Sequence, residues 1–94
     1  MDALVETQRN AILRLAKLHG ATRVRIFGSM ARDDANMDSD VDILVDLEPG
    51  RTLLDIGGFL MDLQDLLGRK VDVVTESALH PRIRDTVLRE AVPL

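Results

Sequence analysis

Three aspartates are the side chains of this sequence best suited to chemistry. Asp40 and Asp42 stand two apart where the stretch DSDVDILVD becomes β-prone, and Asp72 sits alone in KVDVV. Side chains alternate sides along a strand, so Asp40, Asp42, Leu44 and Asp46 share one face while Val41, Ile43 and Val45 share the other. The branched apolar set marks the core side. Asp40 and Asp42 are then left on the open face with Cα atoms roughly 6.5–7 Å apart. The same alternation turns Val71 and Val73 inward and Asp72 outward, so the three carboxylates meet if the two strands are neighbours.

Such a meeting is costly. Two carboxylates about 5 Å apart repel by roughly 3 kcal/mol at an effective dielectric near 20. A domain stable by only about 5–15 kcal/mol calls for a remedy. Protonation is one, and a divalent cation is the better one, because Mg²⁺ is commonly held by one or two carboxylates together with water and substrate phosphates. Asp38 and Asp46 read as ordinary solvated charge. The alternating oxygen donors Asp34, Asn36, Asp38 and Asp40 resemble a calcium loop but fail it: Ser39 stands where that loop needs glycine, and Val45 where it needs glutamate.

A phosphate-binding end is legible upstream. Gly28-Ser29 closes a short apolar run and precedes MARDD, which can form a helical turn. A glycine there lets backbone N–H groups approach an anion closely, Ser29 adds a hydroxyl, and Arg32 adds a guanidinium fork. Taken alone, Gly-Ser is a common turn and Arg32 reads as a surface partner of Asp33 or Asp34.

The elements that must position these residues follow from periodicity. Leu4, Ala11, Ile12, Leu15 and Leu18 predict one helix from Asp2 to about His19, stopped by Gly20. Val24–Phe27, Val41–Val45 and Val71–Val74 read as strands. Leu53, Ile56, Leu60, Leu63 and Leu67 predict a helix with Thr52 as N-cap and Gly68 as stop. A last helix is expected from Ser77 to about Ala91 with Pro81 in its first turn, and AVPL as a short strand or tail. Alternating helices and strands predict an α/β fold: one domain over 1–94, a small mixed sheet with helices packed mainly on one face, the other face open.

Composition narrows the function. A formal charge of −4 and only two aromatics, Phe27 and Phe59, disfavour nucleic acid as a bulk partner. The absence of cysteine removes thiol nucleophiles and zinc thiolates. His19 and His80 have no second histidine at ligand spacing, so His19 reads as a helix-end partner and His80 as part of a helix entry. The beginning MDALVETQRN has no signal-like apolar core, and no apolar stretch approaches the roughly 20 residues of a membrane span, so a cytoplasmic protein is expected. A chain of 94 residues has little material for a separate substrate-recognition domain, so part of its substrate site is expected from a partner.

Taken together, Gly28-Ser29, then ten residues, then Asp40-x-Asp42 on a strand, then Asp72 on a later strand resembles the polymerase-β-like nucleotidyltransferase superfamily. More narrowly, GSMARDDANMDSDVDILVD with KVDVV resembles the minimal nucleotidyltransferase (MNT) antitoxins encoded beside HEPN ribonuclease toxins. The likeness spans nearly the whole chain, including ALHPRIRDTVLREAVPL. It implies that Gly28 and Ser29 hold a nucleoside triphosphate, that Asp40 and Asp42 bind two Mg²⁺ ions, and that Asp72 completes the metal site and helps deprotonate the attacking hydroxyl. It further implies transfer of AMP from ATP to a tyrosine of the HEPN toxin; this chain has no tyrosine of its own. One departure stands out: family members often carry glycine where this chain has Asp33, a carboxylate that would oppose a triphosphate if it pointed inward. Two other functions share the motif or the size: a noncatalytic antitoxin that covers the toxin, with Leu54 or Leu66 in the interface, and a small-molecule (antibiotic) nucleotidyltransferase, which would need a further domain.

Overall fold

The structure is a computed structural model that describes all 94 residues. Helices α1 (Ala3–Thr7) and α2 (Arg9–Leu18) lead into β1 (Ala21–Phe27), followed by the single turn α3 (Ser29–Arg32), β2 (Val41–Leu47), α4 (Leu53–Leu67), β3 (Val71–Thr75), a 3₁₀ turn (Glu76–Ala78), α5 (Pro81–Glu90) and β4 (Val92–Pro93). The sheet order is β3-β2-β1-β4. β2 and β3 are parallel, whereas β1 is antiparallel to both β2 and β4, so the sheet is mixed as the alternation predicts. A parallel pair needs a long crossover, and α4 supplies it.

α4 forms because its ends are chemically closed. The Thr52 hydroxyl accepts from the Leu54 N–H at 3.2 Å, and the Asp55 carboxylate accepts from the Thr52 N–H at 2.8 Å, a reciprocal cap. At the other end Gly68 adopts φ 64°, where a side chain is disfavoured, and its N–H reaches the Gln64 carbonyl at 2.9 Å. The helix buries Phe59, Leu63 and Leu67 against Val41, Ile43 and Val71, together with Ile12 and Ala16 of α2. Leu53, expected on the buried stripe, is 82% exposed, while Phe59 takes the central place. Of the two leucines expected at an interface, Leu54 is exposed and Leu66 packs partly against the core.

The expected single N-terminal helix is two, broken at Gln8. Val5, Ile12 and Ala16 keep their phase across the break, and a periodic pattern constrains phase without requiring a straight axis. Leu18 consequently ends on the surface. The last helix starts at Pro81, later than the expected Ser77. The residue before a proline is disfavoured in the helical region, and His80 accordingly sits at φ −61°, ψ 135°, where its Nδ1 accepts from the Arg82 N–H and caps the helix.

The second sheet face is less open than expected. Leu44, which shares the face of Asp42, is fully buried beneath Leu79 and Val87, so the 3₁₀ turn and α5 cover part of that face. The chain then returns as β4 alongside β1, with Val92 opposite Ile26. No helix is long and apolar enough to cross a membrane. Two substitutions on α4 test this packing: Phe59→Ala is expected to cost about 3–5 kcal/mol in chemical denaturation, whereas Leu54→Ser should stay within about 0.5 kcal/mol of the parent.

Candidate active site

The parallel register decides where the aspartates go. Asp42 lies directly opposite Asp72, in a ladder that also matches Val41 with Val71 and Ile43 with Val73. Neighbouring strands are separated by about 4.8 Å, so the two carboxylates leave the same face side by side. Asp40 precedes β2 and lies near enough to act on Asp42 electrostatically. Of the three, Asp42 is half-buried while Asp40 and Asp72 are exposed.

Electrostatics register the crowding. The Asp42 carboxyl is pushed above the ordinary aspartate value, first by burial, then by the charges of Asp72 and Asp40. Arg32 and Lys70 pull the other way without cancelling the effect. Lys70, just before β3, reaches the Asp40 carboxylate at 3.8 Å. Sequence reasoning missed this lysine as a site residue, although its position before VDVV was the available signal.

Gly28 occupies the phosphate end with φ 70°, ψ −152°. A Cβ there would collide with Asp42 Oδ2. The absent side chain thus has a second role beyond the expected backbone approach: it makes room for the carboxylate itself. Phe27, at the end of β1, pairs with Asp42 across the sheet, which brings the turn and the carboxylates to one edge. Met30 is fully buried and its carbonyl accepts from the Asp2 N–H at 2.8 Å, so α3 is pinned from below. Ser29 opens that turn.

Arg32 is a surface partner of Asp34, one of the two carboxylates the sequence offered it. Its Nε donates to Asp34 at 3.1 Å and its Nη1 to Glu90 at 3.2 Å, while its charge still acts on Asp42. Asp33 does not join it. Asp33 is at φ 61°, a left-handed conformation that glycine adopts more readily than aspartate, and its exposed carboxylate is 2.7 Å from the Met1 amine. Its charge is therefore engaged away from the cluster.

No group of three His, Cys, Asp or Glu side chains is closed tightly enough here to hold a metal ion alone. The donor set is nevertheless the right kind for Mg²⁺: carboxylates in register on one face, one with a raised pKa that a cation would relieve, and no soft ligand. Residues here fit an ion whose remaining ligands come from water and a phosphate chain. His19, by contrast, pairs with Asp62 at 2.6 Å on the other side of the sheet, joining α2 to α4. A concavity of about 480 Å³ lies between α2, the start of β1 and β4, lined by Leu13, Ala16, Val24 and Leu94. It is at the opposite end of β1 from Phe27, away from the carboxylates, of which Asp40 and Asp72 are exposed and Asp42 half-buried.

Residues 5–94 match the model of the nucleotidyltransferase domain family. The protein adenylyltransferase MntA of Thermococcus cleftensis is 45% identical over 78 residues, covering 83% of this chain and 79% of that protein. A solved structure of a candidate minimal nucleotidyltransferase is 53% identical with a TM-score of 0.86, covering 100% of this chain and 97% of its own. A crystal structure of a toxin–antitoxin with AMP-PNP shares the fold, with a TM-score of 0.76 at 20% identity over 89% of this chain and 69% of that one.

The site makes two predictions. A carboxyl whose pKa is raised on folding contributes stability that is present below its unfolded value, 3.8, and lost as pH rises through the folded value. Asp42→Asn should therefore melt at a higher temperature than the parent at pH 7, and in thermal scans the gap should narrow as the pH falls through the raised folded value toward about 4. Gly28→Ala should cost more than about 1 kcal/mol in the same measurement, because it meets both an unfavourable φ and the Asp42 carboxylate.

Proposed function

The chain belongs to the nucleotidyltransferase domain family, and on that premise we propose that it is an antitoxin enzyme that transfers AMP from ATP to a tyrosine hydroxyl of a cognate HEPN ribonuclease toxin and so neutralises it. The observation that carries this reading is the register of Asp42 opposite Asp72 beside Gly28. The adenylyltransferase relative and the shared fold of the toxin–antitoxin structure support it.

In this reading Gly28 and Ser29 receive the triphosphate at the turn after β1, and Arg32 adds a guanidinium donor beside it. Asp40, Asp42 and Asp72 would hold two Mg²⁺ ions. When bound, these ions would supply charge neutralisation of the phosphates and lower the pKa of the attacking oxygen. The acceptor tyrosine oxygen attacks the α-phosphorus, a new O–P bond forms, and the bond from the α-phosphorus to the bridging oxygen breaks. Pyrophosphate leaves with that electron pair. Asp72 takes the proton of the tyrosine hydroxyl, a role its exposure allows. No covalent intermediate on this chain is needed, in keeping with the lack of cysteine.

The exposure of Asp40 and Asp72 suits a protein acceptor. A small-molecule acceptor would call for an enclosing second domain, whereas a folded toxin brings its own walls. Neutralisation by docking alone is the rival: Leu54 and Met61 are exposed on α4, but α4 packs on the face of the sheet opposite Asp42. Catalysis and docking separate in one experiment. With α-labelled ATP, Mg²⁺ and the HEPN protein encoded beside this gene, the toxin is expected to gain label and one AMP unit of mass, and chelation of Mg²⁺ should abolish both. Asp42→Asn and Asp72→Asn should each lower the rate by at least a hundredfold, on the order of 3 kcal/mol in the barrier. An unmodified toxin, or full rescue of cells by Asp42→Asn, would reject the enzymatic reading.

A further inference from the structure

Arg32 is the guanidinium nearest in effect to the carboxylate cluster, yet two carboxylates already hold it. A phosphate is gripped best by two parallel N–H donors along one edge of the fork. With Nε on Asp34 and Nη1 on Glu90, each such edge has a donor engaged, so a bidentate grip requires one carboxylate to let go. The two are not equivalent. Asp34 lies two residues from Arg32 and moves with the same turn, whereas Glu90 is the last residue of α5, 58 positions away. Glu90 is the more separable partner.

We propose that Glu90 is an internal competitor for the phosphate chain: it occupies Arg32 when nucleotide is absent and is displaced when the triphosphate arrives. The inference rests on the reading of the site given above. Its consequence reaches the C-terminal segment. α5 ends at Glu90, and two residues later Val92 pairs with Ile26 while the Leu94 N–H bonds the Val24 carbonyl at 2.9 Å. Loss of the Arg32 contact therefore loosens the hinge between α5, which covers Leu44 near the aspartates, and β4, which closes the sheet edge. Nucleotide occupancy is thus coupled to a surface on the same side as the acceptor.

The test is a double-mutant cycle in Mg-ATP affinity, measured by calorimetry on the parent, Glu90→Gln, Arg32→Ala and the double variant. Arg32 and Glu90 are both at the surface, where solvent screens such pairs and their effect is small, so Glu90→Gln is expected to tighten binding only roughly two- to fivefold. Removing a negative charge helps any polyphosphate, and the Arg32→Ala background isolates that general effect. The gain should shrink there. An equal gain in both backgrounds, or weaker binding by Glu90→Gln, overturns the proposal while leaving the nucleotide site intact. No Mg-ATP binding by any of the four overturns both. A second readout needs no nucleotide: amide exchange at Val92 and Leu94 should quicken in Glu90→Gln, and an unchanged rate counts against the hinge.

Discussion

The pairing of β2 with β3 in parallel register is the contact on which the site depends. It places Asp42 opposite Asp72 because Val41 meets Val71 and Ile43 meets Val73 on the other face, where burial is favourable. A slip by one residue would turn the carboxylates into the core and the valines into water. The apolar energy of one face thus enforces the electrostatic cost of the other. A raised Asp42 pKa is the visible trace of that cost, and it is the condition under which a cation becomes a stabilising ligand.

Around that contact the chain assembles supports from distant places. Gly28 leaves room for the Asp42 carboxylate, buried Met30 anchors the turn, and the Asp2 N–H ties α1 to the Met30 carbonyl. α4 carries the chain across the back of the sheet so that β3 can return parallel. Its reciprocal cap at Thr52 and its glycine stop at Gly68 set where that crossover begins and ends. The candidate site then sits at the edge of a small sheet, shaped by a core assembled on the opposite face.

α5 introduces a third layer. It seals Leu44 with Leu79 and Val87, close to the aspartates, and ends on Arg32 through Glu90. The basic groups available to the cluster are consequently few and already committed, Lys70 to Asp40 and Arg32 to Asp34 and Glu90. A surface this acidic repels a polyanion unless its cations are freed or a divalent ion arrives with it.

Local chemistry carried much of this in the sequence. Alternation assigned the two faces of β2 and β3, Thr52 and Gly68 marked both ends of α4, and Asp40-x-Asp42 with Gly28-Ser29 marked the candidate site, because each depends on residues within a turn or a strand of one another. What crossed the chain was not legible. The break at Gln8, the burial of Leu44 under α5, the exposure of Leu53 and the grip of Glu90 on Arg32 depend on how elements pack, and a periodic pattern holds no information about its neighbour. Asp72 shows the boundary most clearly: its outward direction followed from its own strand, but its place beside Asp42 required β3 to pair with β2 in parallel, which only the tertiary structure decided.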